Sequence, residues 1–512
     1  MSAIGSIGPY GSLEDGGDQS APKNNTSTTT YSHAGDVGAS GGNATVISCS
    51  INLTNTIVGA GMLGLPGAFG GTGWLAGLFL IVISASFSAH GLVLLSKAAQ
   101  AAGLPSSFYT VAMAAVPQYT VLIDLAVALK CFGVATGYLI TIGDCMVDAL
   151  DHILLNGDPE NDERVIIRVF LSRHFWVVGA VLAVLPFSFK KTLDELKKAS
   201  AAALVFVFML AGGIIAYASG VADPCEGFND NECRGDVVAV TNASSMISKL
   251  PIFIFAFTCQ QNIFPVVNEI SFRSQSRINL VIVFSIGFAL IVFTIVAIEG
   301  YRTYGSFVKG DILSTYPETG KVTFLRICVA FMLALHYPLQ LDPARRCILS
   351  LLEVTKEWRR GRDKGKLEHH HPEYIHRHQS VGIEMRGKNE EGVGFNYHNQ
   401  DSPVKVNRMC DMPPEQNHFP DNDNALFYTT TILFLLLSWA IAMAVDDLGV
   451  VLAMVGATGS TLVSYVLPGL IFIKTHKHRD SSLFCAYVQL IAGLLIMPLA
   501  LYFVVTGKTK GH

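Results

Sequence analysis

Ile51-Asn-Leu-Thr-Asn-Thr-Ile-Val-Gly-Ala-Gly-Met-Leu-Gly-Leu-Pro-Gly-Ala-Phe-Gly-Gly71 is apolar enough to enter a membrane, yet Gly59, Gly61, Gly64, Pro66 and Gly67 interrupt it. A helix in lipid must satisfy its own backbone hydrogen bonds. An interruption is tolerated only where protein or a cavity covers it. A broken span of this kind marks a ligand site near mid-bilayer. The competing reading is a glycine-rich packing face, because small residues let transmembrane helices approach closely.

The surrounding composition narrows the choice. Of 512 residues, 50% are apolar and only 15% charged, against roughly 25% charged in soluble domains. That deficit points to an all-α polytopic membrane protein. The net charge of −4 and the lack of any Arg/Lys stripe exclude a nucleic-acid partner. Residues 1–44 are rich in Gly, Ser, Thr and Asn, which predicts a disordered tail rather than a secretory signal.

A span needs about 20 mainly apolar residues. Eleven stretches qualify, near 46–71, 73–97, 119–147, 174–189, 199–221, 247–269, 278–299, 323–347, 425–445, 448–473 and 482–506. Eight of them fill residues 45–352 and three fill 425–506. Residues 353–424 form a polar insert read as a disordered cytoplasmic loop, and 507–512 a short tail. Basic short loops stay in the cytoplasm. With the N-terminus inside, Lys97, Lys190, Lys191, Lys197, Lys198, Arg273, Arg277, Arg345, Arg346 and Lys474 fall on the inner side. Asp148, Asp151, Asp446 and Asp447 fall outside, although Arg164, Arg168, Arg173, Arg302, Lys309 and Lys321 run against the rule. Cys225 and Cys233, in a polar outer loop, suit a disulfide in an oxidising compartment. The sequon at Asn242 is a glycosylation acceptor on the same side, whereas those at Asn25 and Asn43 fall inside. His369, His370, His371, His376 and His378 in the insert have no acidic or thiolate partner at regular spacing, so no metal site is assigned.

The sixth span, Lys249 to Glu269, carries Pro251 and Pro265 around a polar patch, Thr258 to Asn262, at mid-membrane depth. Such groups are costly there unless they face protein, water or ligand. Spans one and six are therefore both interrupted and lie five apart. That spacing suggests an inverted repeat of five plus five spans with an eleventh added. Where a helix restarts, its first N–H groups carry partial positive charge and can hold a carboxylate. Freed carbonyls opposite can hold an ammonium. An α-amino acid carries both charges on one carbon. Val58, Gly59, Ala60, Gly61 and Met62 supply the first break, with Gly59 and Gly61 leaving room for ligand. Phe257, Thr258, Cys259 and Gln260 supply the second. Phe253, Phe255 and Phe257 recur every second residue, so they do not share one helical face. Tyr138 of span three is a candidate to close over the substrate, with packing in a helix interface as the competing reading. Lys130 and Asp144 share a face of that span without touching, and Asp144 and Glu269 read as tethers near helix ends.

Asn52 to Pro66 resembles the first helix of the amino acid/auxin permease family, in its branch of sodium-coupled neutral amino acid transporters and fungal vacuolar amino acid transporters. Phe255 to Pro265 resembles that family's sixth helix, Leu129 to Ile140 its third, and Asp447 to Pro468 its tenth. The resemblance covers roughly residues 45–505 and implies a LeuT-like fold with secondary active transport of amino acids driven by Na⁺ or H⁺. Relatives in the vacuolar branch often carry His where this chain has Gln260. Asn55 matches a helix-one ion-site residue of the sodium-coupled members, but Ala334 and His336 stand where their helix eight carries a hydroxyl. Na⁺ prefers oxygen ligands, while His carries protons, so Asn55 and His336 suggest H⁺ coupling. No cofactor is implied. The expected function is transport of small amino acids by alternating access in a plasma or vacuolar/lysosomal membrane. The rival is an amino acid sensor signalling through the 353–424 loop. No HExxH, GxSxG or Walker segment points to an enzyme.

Overall fold

The computed structural model describes residues 42, 44–155, 169–189, 197–226, 233–365, 424–445, 447–476 and 480–506. The 1–41 tail, most of the insert with its histidine cluster, Asn25, Asn43, Arg164, Arg168, Lys190, Lys191 and residues 507–512 lie outside the described residues.

The described chain is helical, and the predicted spans each coincide with a helix or a helix pair. The helices are α1 (Val46–Ile57), α2 (Ala60–Thr72), α3 (Trp74–Ala102), α4 (Phe108–Ala115), α5 (Thr120–Leu155), α6 (Arg173–Ser188), α7 (Lys197–Ala218) and α8 (Ala243–Ala256). They continue with α9 (Ile263–Glu269), α10 (Gln275–Tyr304), α11 (Gly320–Gly365), α12 (Asn424–Ala444), α13 (Leu448–Val455), α14 (Leu467–Thr475) and α15 (Ser481–Val505). Two π-helical turns, Gly456–Ser460 and Leu462–Val466, join α13 to α14. By length and composition eight segments among the described residues can cross a membrane, and the bent pair α1–α2 makes a ninth. Helix α6 and the Ala203–Ala218 part of α7 are shorter apolar helices at the positions of the fourth and fifth predicted spans.

Burial ranks the spans from centre to rim. In the apolar window of Ala243–Glu269, 83% of residues are buried, against 22% in α15. Helix α15 instead exposes Phe484, Ile491, Leu494 and Leu495, and α10 exposes Val283, Phe284 and Ile291. Apolar rows of that size on continuous helices belong against hydrocarbon. The protein is an integral membrane protein. Because the sixth span is enclosed all round, Phe253, Phe255 and Phe257 are all buried although they do not share a face.

Several charged groups inside the bundle are paired. Asp144 and Arg173 lie 2.6 Å apart, and the Arg173 guanidinium also donates to the Val445 carbonyl. Arg326 reaches Asp148 at 3.3 Å. Arg345 is buried between Asp342, the Ser188 carbonyl and the face of Phe427. The Cys225 and Cys233 sulfurs are joined, and the extended segment after them runs along the ends of α2, α3 and α10. There Gly73 adopts φ +84°, and a Cβ on it would stand 2.5 Å from the Ala239 carbonyl oxygen. Only glycine accepts both conditions. Asn242 is exposed and caps α8 through Oδ1, which accepts from Ser245 N–H at 2.8 Å.

Two features differ from the sequence reading. Helix α4 separates the second and third spans; a capping box of Ser107 and Thr110 starts it. The eighth candidate span ends at Leu352, as read from the sequence, but the backbone stays helical through Gly365, so residues 353–365 of the segment read as a disordered loop are helical.

Candidate functional site

The chain breaks at both places where the sequence interrupts its own apolar runs. Helix α1 ends at Ile57, Val58 turns to extended angles, and the helix restarts 54° away. Gly59 precedes α2, and no side chain caps that start. Met62 N–H turns back to the Gly59 carbonyl oxygen at 3.1 Å, and the N–H groups before it have no side-chain cap. Helix α8 ends at Phe257, the chain passes through Thr258 and Cys259, makes a 3₁₀ turn at Gln260–Asn262, and restarts as α9.

Each residue at the first break has a distinct neighbour. A Cβ at residue 59 would stand 3.0 Å from the Tyr138 hydroxyl, so Gly59 lets the α5 tyrosine lie directly on the break. Gly61 points elsewhere: a Cβ there would meet Ala256 Cα at 2.9 Å. Its lack of a side chain serves contact between α2 and α8, not ligand room. Val58 and Met62 are fully buried, and Ala60 is described by its backbone alone.

The second break is held by a polar web. Ser88 of α3 donates to the Phe257 carbonyl at 2.6 Å. Gln260 donates to Ser88 Oγ at 3.0 Å, and its Oε1 accepts from Ser464 Oγ at 2.7 Å and from the Cys259 N–H. Thr258 donates to the Ile254 carbonyl and accepts from Ser464. Gln260 is thus a cross-brace between α3, the break and the π turn of the tenth span. The carbonyls of Ile254 and Phe257 each keep a second lone pair.

Gln261, which the sequence reading passed over, has the opposite setting. Its side chain is 7% exposed, and neither amide atom has a hydrogen-bond partner. It lines a cavity of about 590 Å³, together with Asn55 and Thr56 of α1, Asn262, Asp124 of α5 and Asp342 of α11. The cavity reaches the last turn of α1 and the 3₁₀ turn that follows the second break; Val58, Gly59, Met62, Tyr138, Phe257, Thr258, Cys259 and Gln260 do not line it. It lies on the side predicted to be cytoplasmic, where α1 and α5 begin. Toward the other side α2 is tightly covered. A Cβ on Gly67 would stand 2.4 Å from the Lys309 carbonyl oxygen, and one on Gly64 would stand 2.6 Å from Leu452.

Asn55 and His336 come together as the sequence suggests. His336 Nε2 lies 3.1 Å from the Asn55 carbonyl oxygen and 3.3 Å from its Oδ1, while Nδ1 lies 2.9 Å from the Met332 carbonyl oxygen. Among the described residues no cluster of His, Cys, Asp or Glu could hold a metal ion.

Gln260 and Gln261 are the same residue type, one position apart. Periodicity cannot tell them apart where the helix stops, because a 3₁₀ turn rotates successive side chains by about 120°. Ser88 and Ser464 carried a usable signal, since small polar residues bridge neighbouring membrane helices.

The family model for transmembrane amino acid transporter protein matches residues 42–506. Vacuolar amino acid transporter 5 of Schizosaccharomyces pombe is 31% identical over 85% of this chain and 86% of its own length. Vacuolar amino acid transporter 5 of Saccharomyces cerevisiae is 29% identical over 90% of this chain and 98% of its own length. A putative sodium-coupled neutral amino acid transporter 11 of Danio rerio is 26% identical over 61% of this chain and 67% of its own length.

Proposed function

The chain belongs to the family of transmembrane amino acid transporter proteins, and on that premise we propose that it is a secondary active transporter moving amino acids by alternating access, coupled to H⁺. The observation that carries the reading is the pair of adjacent helix breaks, joined by Asn262 Nδ2 donating to Thr56 Oγ1 at 2.7 Å and by the close approach of Gly61 to Ala256. The uncapped start of α2 suits a carboxylate, and the carbonyls at the end of α8 suit an ammonium. Tyr138 over Gly59 bounds this site, and Val58, Ala60 and Cys259 supply its backbone. Gln261 joins the site as a side chain free to meet the ligand. In this arrangement a cavity approaches the breaks from the side read as cytoplasmic, and α2 is tightly covered toward the other side.

His336 favours H⁺ over Na⁺. Both ring nitrogens face carbonyl oxygens, and only a ring with two protons donates to both. The names of the yeast relatives favour a vacuolar membrane. A lumen there suits the Cys225–Cys233 bond and a glycan on Asn242.

Purified protein in liposomes tests the reading. Uptake of labelled amino acids that follows an imposed pH gradient is expected. Uptake that follows only a Na⁺ gradient overturns the proton assignment. Saturable binding without flux instead assigns the chain as a sensor.

A further inference from the structure

Lys130 of α5 is 2% exposed, and its ammonium has one hydrogen-bond partner, Gln340 Oε1 at 3.4 Å. One neutral acceptor leaves two of its three donors unused. Among the described residues no carboxylate lies within 4.0 Å of it, and the titratable groups acting on it are the thiols Cys131 and Cys259. A buried charge is retained only where something compensates it.

The surroundings are built to admit this side chain beside the second break. Cys259 belongs to that break. A Cβ on Gly459 would stand 2.7 Å from Lys130 Cβ, so the tenth span gives up a side chain there. The neighbouring Ser460 hydroxyl is buried without a partner.

On the transporter reading, the two breaks take up the α-carboxylate and the α-ammonium of the substrate. Lys130 is then a third charge with no carboxylate within 4.0 Å among the described residues. We propose that Lys130 is a specificity residue that binds a side-chain carboxylate, and that the substrates are acidic amino acids of the aspartate and glutamate type. The inference rests on the transporter reading and fails separately from it.

The test is uptake by the full chain in liposomes, with labelled aspartate, glutamate, asparagine, glutamine and lysine. Aspartate and glutamate are expected to be carried in preference to their amides. Lys130→Gln lowers the glutamate-to-glutamine uptake ratio by roughly tenfold or more, the scale of one charged hydrogen bond, and Lys130→Arg keeps the ratio high. Preference of the wild type for neutral or basic amino acids overturns the proposal and leaves the transporter reading standing. An unchanged ratio in a monodisperse Lys130→Gln protein also overturns it. If that variant does not fold, the wild-type panel decides alone. No uptake of any amino acid overturns both readings.

Discussion

His336 Nε2 and the Asn55 carbonyl oxygen, 3.1 Å apart, join α11 to the last turn of α1 beside the first break. Protonation of the ring strengthens that link and deprotonation loosens it. On the proposed H⁺-coupled reading, a proton on His336 is coupled to the half-helix that ends at the first break. His336→Gln keeps a hydrogen-bonding side chain but removes the titration. We expect uptake driven by a pH gradient to fall about tenfold or more, the equivalent of about 1.4 kcal/mol, while gradient-free exchange of labelled amino acid persists. PH-driven uptake at the wild-type rate in this variant would rule out His336 as the proton site.

The two adjacent glutamines should separate stability from transport. Gln260→Ala removes a brace and leaves the hydroxyls of Ser88 and Ser464 short of partners. The cost is about 1–3 kcal/mol for the buried groups, read as a lower melting temperature in detergent. Gln261→Ala removes an amide with no hydrogen-bond partner among the described residues. Its melting temperature should match the wild type, with the loss appearing as a raised KM. A stability loss at Gln261 equal to that at Gln260 contradicts the assignment.

Gly59 and Tyr138 form a steric pair. With 3.0 Å between the would-be Cβ and the hydroxyl, Gly59→Ala presses on the tyrosine, and Tyr138→Phe relieves the pressure. Overpacking of this kind costs about 1–3 kcal/mol. We expect the single alanine variant to lose most transport and the double variant to recover part of it. Strict additivity of the two changes in liposome uptake would refute the contact.

Asp311 lies in the segment between α10 and α11, outside the membrane spans, and is buried. Burial chiefly pushes its carboxyl up to about 7 from 3.8; Asp144 and Asp148 add to the rise, and the Leu313 N–H and Arg326 oppose it. The folded chain thus binds this proton more tightly than the unfolded chain. Between 3.8 and about 7 it holds the extra proton, so stability grows as pH falls through that window and is lost as pH rises toward 7. The melting temperature should rise on going from about pH 8 to about pH 5.5. Asp311→Asn should melt higher than wild type at the alkaline end and lose most of the pH dependence. A wild-type profile that falls with acidification, and is unchanged by the substitution, speaks against this group.

The span positions were legible because apolar runs of membrane length have few alternatives. Both breaks were legible because glycine and proline in such runs have a backbone meaning. Side-chain direction at the breaks was not. Gly61 reads as ligand room yet faces Ala256, and Gln260 reads as a ligand contact yet braces Ser88 and Ser464. In both cases the deciding neighbour belongs to another helix or half-helix, and no periodicity within one stretch encodes it. Helix α4 has only eight residues, too few to show a pattern. The end of α11 was misplaced because hydropathy marks where lipid stops, not where hydrogen bonding stops.

Helix α11 has 46 residues, about 69 Å at 1.5 Å per residue, more than twice the hydrocarbon thickness of about 30 Å. Gly365 sits about 44 Å along the axis from His336. Pro338 and Pro343 lie between them, and each removes a backbone hydrogen bond that would stiffen the rod. A tilt of about 10° at those prolines sweeps the far end through about 6–7 Å. Angular changes too small to resolve at the ligand site become displacements in the aqueous phase, where a label near residue 365 can measure them.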